Sequence, residues 1–109
     1  GNRSGGNVQA LEKTFEDFAG QQVDLTDERY AHILRYHPDT TPFLDRLAET
    51  LRVPDALRHS TQDPTVVVCY KYFADILGGK YLAVVVKTNG RRFVLTAYVT
   101  RRLRTGRSP

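Results

Sequence analysis

The sequence predicts an α+β domain, with N-terminal helices packed on one face of a mostly antiparallel sheet of about four strands. Apolar residues recur at helical spacing as far as about residue 54, and from about residue 65 they alternate with a period of two. The later segments are also rich in β-branched and aromatic residues, which is typical of strands. Helices followed along the chain by strands indicate an α+β arrangement.

The beginning of the chain is predicted to form a flexible leader and a short helix. Residues 1–7 are rich in glycine and contain no apolar side chain, which is typical of a flexible linker. From Val8 to Phe18 the apolar residues are spaced by three, four and three positions. This spacing predicts a short amphipathic helix that ends near Gly20.

The next helix has clear start and stop signals. Thr26 precedes two acidic residues, so its hydroxyl is expected to cap a helix whose first turn carries the negative charge that the helix dipole favours. This helix is expected to end at His37, because Pro38 disfavours helical geometry in the residue before it. Its expected apolar face consists of Tyr30, Ile33, Leu34 and His37.

A further helix is predicted to begin at Thr41 and to end before Pro54. Pro42 suits the first turn of this helix, because a backbone N–H in that turn would have no intrahelical partner. Its expected buried face consists of Leu44, Leu47, Ala48 and Leu51.

Three strands of an antiparallel meander and one weaker strand complete the predicted fold. The three are residues 65–73, 80–87 and 92–100, and the weaker strand lies near residues 56–60. Gly78 and Gly79 separate the first two strands of the meander. Asn89 and Gly90 separate the last two, and this pair is the strongest short hairpin signal because both turn positions need positive φ.

Alternation along the last two strands predicts which side chains meet the helices. In the last strand the helix-facing set is expected to be Phe93, Leu95, Ala97 and Val99. The opposite set is polar and rich in hydroxyls, and it defines what we call the open face: Val94, Thr96, Tyr98 and Thr100. In the preceding strand the core-facing set is expected to be Lys80, Leu82, Val84 and Val86. Tyr81 and Lys87 are therefore expected on the open face beside Thr96 and Tyr98, with no carboxylate among them.

The formal net charge of +4 hides a gradient along the chain. Residues 1–75 hold all 12 acidic residues and 8 basic ones, so their net charge is −4. Residues 76–109 hold 8 basic residues and no acidic one, so their net charge is +8. Such one-sided positive charge favours a polyanionic partner, and nucleic acid is the first candidate.

Length and composition exclude several other classes of protein. A length of 109 residues allows one domain, which we expect over residues 8–105 with a basic tail end at residues 106–109. Cys69 is the only cysteine, so the sequence can form neither an intrachain disulfide nor a cysteine zinc cluster. The three histidines lack metal-ligand spacing, and we expect neither a metal nor a cofactor. No apolar run approaches the ~20 residues needed to cross a bilayer, so no membrane partner is expected.

The open face suits phosphate binding and also RNA cleavage without a metal ion. Its hydroxyls, lysine and neighbouring arginines can bind phosphate through charge-assisted hydrogen bonds. In metal-free RNA cleavage the 2′-OH attacks the adjacent phosphate, and the protein supplies a base, an acid and cations. Histidine can serve as base or acid, because its pKa lies near ~6.5. The same residues also fit a plain basic, solvent-facing sheet surface.

Four segments, in order, resemble the signatures of a known nuclease family. The segments YAHILRYHPD (residues 30–39), VPD (residues 53–55), KYLAVVVK (residues 80–87) and FVLTAYVT (residues 93–100) are similar to its HI(L)xRHPE, TLxxPD, KYLxVVVK and FVxTAYxT motifs. Over residues 23–106 the chain therefore resembles the phage-type branch of the barnase–EndoU–colicin–RelE superfamily of metal-independent ribonucleases. Tyr36 and Asp39 stand where the family usually has Arg and Glu.

The resemblance implies a small ribonuclease that acts as a toxin or effector domain in conflict between bacteria or phages, cleaving tRNA or other single-stranded RNA. Family sites combine a helix histidine with basic, hydroxyl and tyrosine side chains from the sheet. The candidate catalytic residues are accordingly His32, His37, Lys87, Thr96, Tyr98 and Thr100. The candidate RNA- and phosphate-binding residues are Tyr70, Tyr72, Lys80, Arg91, Arg92, Arg101 and Arg102. The sequence does not decide which of the two histidines is catalytic.

The expected partners are RNA and an acidic immunity or antitoxin protein. We expect action in the cytoplasm, with delivery as the C-terminal domain of a larger exported protein. Two alternatives stay open at this point. One is a non-catalytic RNA- or phosphate-binding module, and the other is a protein-interaction domain on the same scaffold.

Overall fold

The computed structural model describes residues 13–103, and six of its strands form one mixed sheet. The strands are β1 (Lys13–Glu16), β2 (Gln22–Leu25), β3 (Ala56–His59), β4 (Val66–Phe73), β5 (Lys80–Lys87) and β6 (Phe93–Thr100). Their order in the sheet is β1-β2-β6-β5-β4-β3. All neighbours are antiparallel except β2 and β6, which run parallel. The α+β class is confirmed, but the prediction of about four strands is wrong, because β1 and β2 extend the sheet.

The first described segment is a strand hairpin, so the prediction of a helix over residues 8–18 is wrong where the structure describes it. β1 pairs in register with β2, and Phe15 packs against the core. The carboxylate of Asp17 accepts the backbone N–H groups of Ala19 and Gln21, which closes the turn between the strands. Pairing with β2 outweighs the helical spacing of a few apolar residues. The predicted leader and residues 8–12 lie outside the described residues.

Helix α1 (Asp27–Tyr36) begins and ends as predicted. The Thr26 hydroxyl accepts the Arg29 N–H at 3.3 Å, which is the expected N-cap bond. The next segment, Pro38–Arg46, is a 3₁₀ helix, and only Leu47–Arg52 forms the α-helix α2. Pro42 lies inside the 3₁₀ segment and cannot donate an i→i−4 hydrogen bond, so the single helix predicted from Thr41 becomes two pieces.

The helices and one face of the sheet enclose the main core. Ile33, Leu47 and Leu51 are fully buried there, as predicted, whereas Ala48 is exposed. The sheet residues of this core are Val23, Leu25, Val67, Cys69, Leu82, Val84, Val86, Val94 and Ala97. The core-facing assignment of Leu82, Val84 and Val86 is therefore confirmed.

A β-bulge in β6 changes the predicted faces of that strand. Thr96 lies opposite Val85 and Val94 lies opposite Val86, so Leu95 is one residue in excess. The extra residue turns Val94 into the main core, although strict alternation assigned it to the open face. The faces of β6 therefore follow the predicted alternation only beyond the bulge.

The open face carries a second, smaller core. Val68, Tyr70 and Ala83 are buried in it, and they are covered in part by Tyr81, Val85, Tyr98 and Leu103. Leu103 follows β6 and packs back onto the sheet, so the open face is partly covered at its centre. Alternation along β4 does not decide which of its residues lie on the open face. The structure places Val68 and Tyr70 there.

Candidate active site

Helix α1 lies beside β6 because β2 leads into it. β2 pairs with β6 through Asp24 and Phe93, after which the chain turns into α1. The Arg29 side chain then donates its Nε–H to the Leu95 carbonyl at 2.9 Å. About two helical turns further along, just beyond the end of α1, the His37 ring lies 5.8 Å from the Tyr98 ring, centroid to centroid. The end of α1 and the middle of β6 therefore bring a helix histidine and an open-face tyrosine together.

Both candidate histidines belong to one aromatic cluster. The His32 and His37 ring centroids are 6.3 Å apart, and the His32 and Tyr36 centroids are 4.9 Å apart. Tyr36 is 60% exposed, whereas both histidines are half-buried. The cluster of His32, Tyr36, His37 and Tyr98, which we call the histidine cluster, is thus open to solvent at its Tyr36 side.

The electrostatic surroundings of His32 keep it in its neutral form. Burial of the imidazole lowers the pKa of His32 below its ordinary 6.5, and the positive charges of Arg29 and His37 act in the same direction. A neutral imidazole has a free lone pair on one ring nitrogen. His32 can therefore accept a proton near pH ~7.

The two predicted catalytic threonines have different surroundings. The Thr96 hydroxyl oxygen is enclosed, and it has no hydrogen-bond partner among residues 13–103. The Thr100 hydroxyl donates to the Arg102 carbonyl at 3.1 Å, and the Arg102 N–H lies 3.3 Å from the same oxygen. Thr96 thus holds an enclosed hydroxyl without a partner in the described range, whereas Thr100 closes the turn that follows β6.

Lys87 does not join the histidine cluster. It lies opposite Phe93, four residues along β5 from the partner of Tyr98, which corresponds to roughly 13 Å. Its ammonium contacts the Asp63 carboxylate at 2.9 Å. Lys87 therefore does not lie directly beside Tyr98, and the expectation of surroundings without a carboxylate is wrong, because the loop before β4 brings Asp63 to it. Hydrogen bonds from Thr65 and Lys87 lower the pKa of Asp63 to about 2, so this acid is ionised at neutral pH.

The predicted phosphate-binding residues divide into two groups at opposite ends of the sheet. Arg91 pairs with Asp24, and Arg92 lies 3.7 Å from Asp17. Within the described part of the chain, three cations at the other end have no ion-pair partner, namely Lys80, Arg101 and Arg102. The Lys80 ammonium contacts only the Leu77 carbonyl, at 3.3 Å. The second group is therefore the one with charge available for an anion.

The two predicted stacking tyrosines also differ. Tyr70 is completely buried, so it cannot stack on a base and supports Tyr81 edge-on instead. Tyr72 is 49% exposed, and its ring meets Tyr81 edge-on with centroids 5.4 Å apart. A side chain at Gly79 would overlap the Tyr72 hydroxyl. Tyr72 is therefore a partly exposed ring that is held in place on two sides.

Sequence reasoning missed Arg29 and the contribution of Tyr36. Arg29 precedes His32 by three positions and Tyr36 follows it by four, so helical spacing alone aligns the three on one side of α1. This signal was present in the sequence. The contact between Arg29 and Leu95 could not be found in the same way, because it joins residues 66 positions apart across a bulge.

Residues 13–103 contain neither a cluster of potential metal ligands nor a helix that could span a membrane. No three His, Cys, Asp or Glu side chains lie together in an arrangement that could hold a metal ion. No helix in this range is both long enough and apolar enough to span a bilayer.

The fold and the histidine cluster define a class of protein before any comparison is made. Two neighbouring histidines, one of them beside a strand tyrosine, on a sheet with unpaired cations at one end, suit acid–base chemistry on an anionic substrate. Residues 2–107 match the family described as phage-Barnase-EndoU-ColicinE5/D-RelE like nuclease2, and the chain belongs to this family. The resemblance noted in the sequence is thus confirmed, and the protein is a nuclease by family, with nucleic acid as its substrate class. No curated protein and no solved structure gives a significant match.

Proposed function

We propose that this protein is an endoribonuclease that cleaves RNA without a metal ion, leaving a 2′,3′-cyclic phosphate. The observation that carries the proposal is the proximity of His32 to His37, together with the contact of His37 with Tyr98 on the open face. Rings 6.3 Å apart are close enough to reach two oxygens of one phosphodiester. Acid–base groups of this type are what 2′-OH attack requires from a protein.

In the proposed reaction His32 is the general base and His37 the general acid. Neutral His32 takes the proton of the 2′-OH, and the 2′ oxygen forms a bond to the adjacent phosphorus. The bond from phosphorus to the 5′ oxygen breaks, and protonated His37 gives its proton to that oxygen. The products are a 2′,3′-cyclic phosphate and a 5′-OH end, so no water is consumed in this step. The lowered pKa of His32 supports its assignment as the base.

The remaining candidate residues have supporting roles in this proposal. The Thr96 and Tyr98 hydroxyls orient the phosphate, and Thr96 has an enclosed hydroxyl without a partner in the described range. Thr100 acts through the turn that holds Arg102. The ion pair with Asp63 favours a structural role for Lys87.

Single-stranded RNA, including exposed loops of tRNA, is the proposed substrate. Tyr72 offers a partly exposed ring on which an unstacked base can lie, and duplex RNA has no such base. The unpaired cations Lys80, Arg101 and Arg102 are available for the flanking phosphates.

The proposed biological setting is that of a toxin or effector domain. An enzyme that cleaves tRNA endangers the cell that makes it, so an acidic immunity or antitoxin protein is the proposed partner. Its negative charge would complement the unpaired cations near the histidine cluster. The proposed site of action is the cytoplasm, with delivery as the C-terminal domain of a larger exported protein.

The proposal is tested by incubating the protein with single-stranded RNA in EDTA and mapping the ends. We expect 2′,3′-cyclic phosphate and 5′-OH ends, and no cleavage of DNA of the same sequence, because DNA lacks the attacking 2′-OH. His32→Gln and His37→Gln should each reduce the rate by about 10²–10⁴-fold. His59→Gln, on the far edge strand β3, is the matched control and should cleave at the wild-type rate.

Three results would contradict the mechanism. They are cleavage of DNA, cleavage only after a divalent metal is added, and the absence of cleavage at every pH from ~5 to ~9. Salt-dependent RNA binding without cleavage would instead favour a non-catalytic binding module.

A further inference from the structure

We infer that the Arg29 guanidinium, together with the Thr96 hydroxyl, forms the binding site for the phosphodiester that is cleaved. From the sequence, Lys87 and Arg101 are the residues expected to stabilise the charge of this phosphate. The inference rests on the proposed RNA cleavage for the identity of the ligand, and it rests on the geometry around Leu95 for its location.

The Arg29 guanidinium has N–H donors that its bond to the Leu95 carbonyl leaves free. Its Nε–H donates to the Leu95 carbonyl at 2.9 Å, and no acid of the described chain pairs with it. A guanidinium has five N–H donors in a rigid plane, so four of them remain after this bond. The carbonyl bond fixes the orientation of the plane in advance. An arginine held in this way can meet two oxygens of one phosphate with little further loss of freedom.

The Thr96 hydroxyl lies next in the chain to the carbonyl that Arg29 contacts. Thr96 directly follows Leu95, and its enclosed oxygen has no partner within residues 13–103. An enclosed hydroxyl without a hydrogen bond is unusual, because leaving it unpaired costs free energy. A phosphate oxygen bound beside Leu95 would accept this hydroxyl proton and the Arg29 N–H groups together.

The position of Arg29 relative to His32 follows from their spacing in helix α1. Arg29 and His32 are separated by three positions in α1, which places them on neighbouring turns of one side of the helix. The Arg29 charge acts on His32 strongly enough to help lower its pKa. A phosphate bound by Arg29 is therefore within reach of the proposed base.

The cations near or after β6 that the sequence offers for phosphate binding differ from Arg29 in their partners or their position. Lys87, Arg91 and Arg92 are each paired with an acid of the described chain. Arg101 and Arg102 are exposed after β6, where they suit flanking phosphates. Among the described residues, Arg29 is the cation that combines freedom from acids with contact to the strand segment carrying Thr96 and Tyr98.

Arg29→Lys separates this role from a purely structural one. A lysine ammonium can donate to the Leu95 carbonyl, so the link between α1 and the bulge can be kept. It cannot at the same time present the second, planar pair of donors that binds phosphate. Arg52→Lys, on the exposed end of α2, is the matched control, because it makes the same change at a residue without a role in the site.

The experiment measures three quantities for the wild type, Arg29→Lys and Arg52→Lys. They are the melting temperature, the cleavage rate on single-stranded RNA, and the affinity for a 2′-O-methyl oligonucleotide that cannot be cleaved. For Arg29→Lys we expect a melting temperature close to that of Arg52→Lys, a loss of cleavage rate of about 10²–10³-fold, and weaker oligonucleotide binding. Added guanidinium ion should restore part of the cleavage rate of Arg29→Ala but none of that of His32→Gln.

Two results would overturn the inference. One is an Arg29→Lys variant that cleaves and binds like Arg52→Lys. The other is a loss of cleavage by Arg29→Lys fully accounted for by a lower melting temperature. If the wild type does not cleave RNA, the proposed function fails, but the oligonucleotide affinities still decide the Arg29 site. Weaker binding by Arg29→Lys alone supports it, and equal binding by both variants refutes it.

Discussion

His32 illustrates at the scale of one residue how position decides chemistry. It lies on the flank of α1, half-buried, with Arg29 and His37 adding positive charge near its ring. Each of these surroundings disfavours the imidazolium, so the folded state binds a proton at His32 less readily than the unfolded state does. His32 therefore opposes folding progressively as the pH falls below 6.5 towards its lowered pKa in the folded protein.

Removing one of these charges should move the pKa of His32 upward. We expect His37→Asn to raise it towards 6.5, because the variant lacks one of the positive groups that disfavour the imidazolium. The measurement is an NMR pH titration of the His32 ring protons. His59→Asn is the control and should leave the titration unchanged. A pKa of His32 that falls, or stays constant, in His37→Asn would show that the two histidines are not electrostatically coupled.

The positions and surroundings of the candidate site residues could be predicted from the sequence to different degrees. The two histidines and Tyr98 were predicted from the sequence, and the structure brings them together. The surroundings of Lys87 and Tyr70 were not predictable, because they depend on a loop acid and on the covering of the open face by residues distant in sequence. Alternation predicts which face of the sheet a strand residue occupies, but it does not predict which residues from distant parts of the chain pack onto that face.

At the scale of elements, the bulge in β6 has the largest effect on the site. It adds Leu95 to the strand, and it offers the Leu95 carbonyl to Arg29 while Val94 turns into the core. The strand itself was predicted within one residue of its bounds. The bulge was not, because an extra residue in one strand leaves no mark on a pattern of apolar and β-branched side chains.

Helix α1 carries His32 and leads directly into His37, so its N-cap should matter for the stability of the candidate site. We expect Thr26→Ala to lower the free energy of unfolding by about 1 kcal/mol, because the variant cannot accept the Arg29 N–H. Thr26→Ser keeps an acceptor and should retain most of the stability. Urea denaturation followed by circular dichroism measures both. Equal stability of the Ala and Ser variants would mean that the hydroxyl bond does not stabilise the helix.

The two incorrect element predictions have separate physical causes. β1 is a strand because β2 offers it four paired residues, and this long-range pairing is invisible in local spacing. The segment Pro38–Arg46 is 3₁₀ rather than α because Pro42 interrupts the hydrogen bonds of a longer helix. The sequence shows Pro42, but it is equally compatible with a place in the first turn of an α-helix.

For the whole molecule, the charge gradient along the chain is reorganised by folding. Acids of the first part meet bases of the second at one end of the sheet, in the pairs Asp17–Arg92, Asp24–Arg91 and Asp63–Lys87. Lys80, Arg101 and Arg102 at the other end have no acid partner within residues 13–103. The excess positive charge is therefore concentrated at the end of the sheet that also holds Tyr72 and Tyr81.

The pair of Asp63 and Lys87 should make the fold sensitive to acid. Because the pKa of Asp63 is lowered to about 2, its contribution to stability is present above its ordinary pKa of 3.8 and is lost as the pH falls from 3.8 towards 2. Lys87→Gln removes one cause of the lowering, so the acid unfolding midpoint should move to higher pH. Circular dichroism between pH 2 and 5 measures it, with Lys80→Gln as control. An unchanged midpoint in Lys87→Gln would contradict a stabilising pair.

The contact between Arg29 and Leu95 has a consequence for the order in which the protein folds. It joins residues 66 positions apart, whereas β4, β5 and β6 pair with their neighbours through short turns. Closing such a long loop costs conformational entropy, so local pairing is expected to precede it during folding. During synthesis, helix α1 and the adjoining His37 are made before β6. In the growing chain the two parts of the candidate site are therefore separate, and we expect cleavage activity only after the last strand has been synthesised and paired.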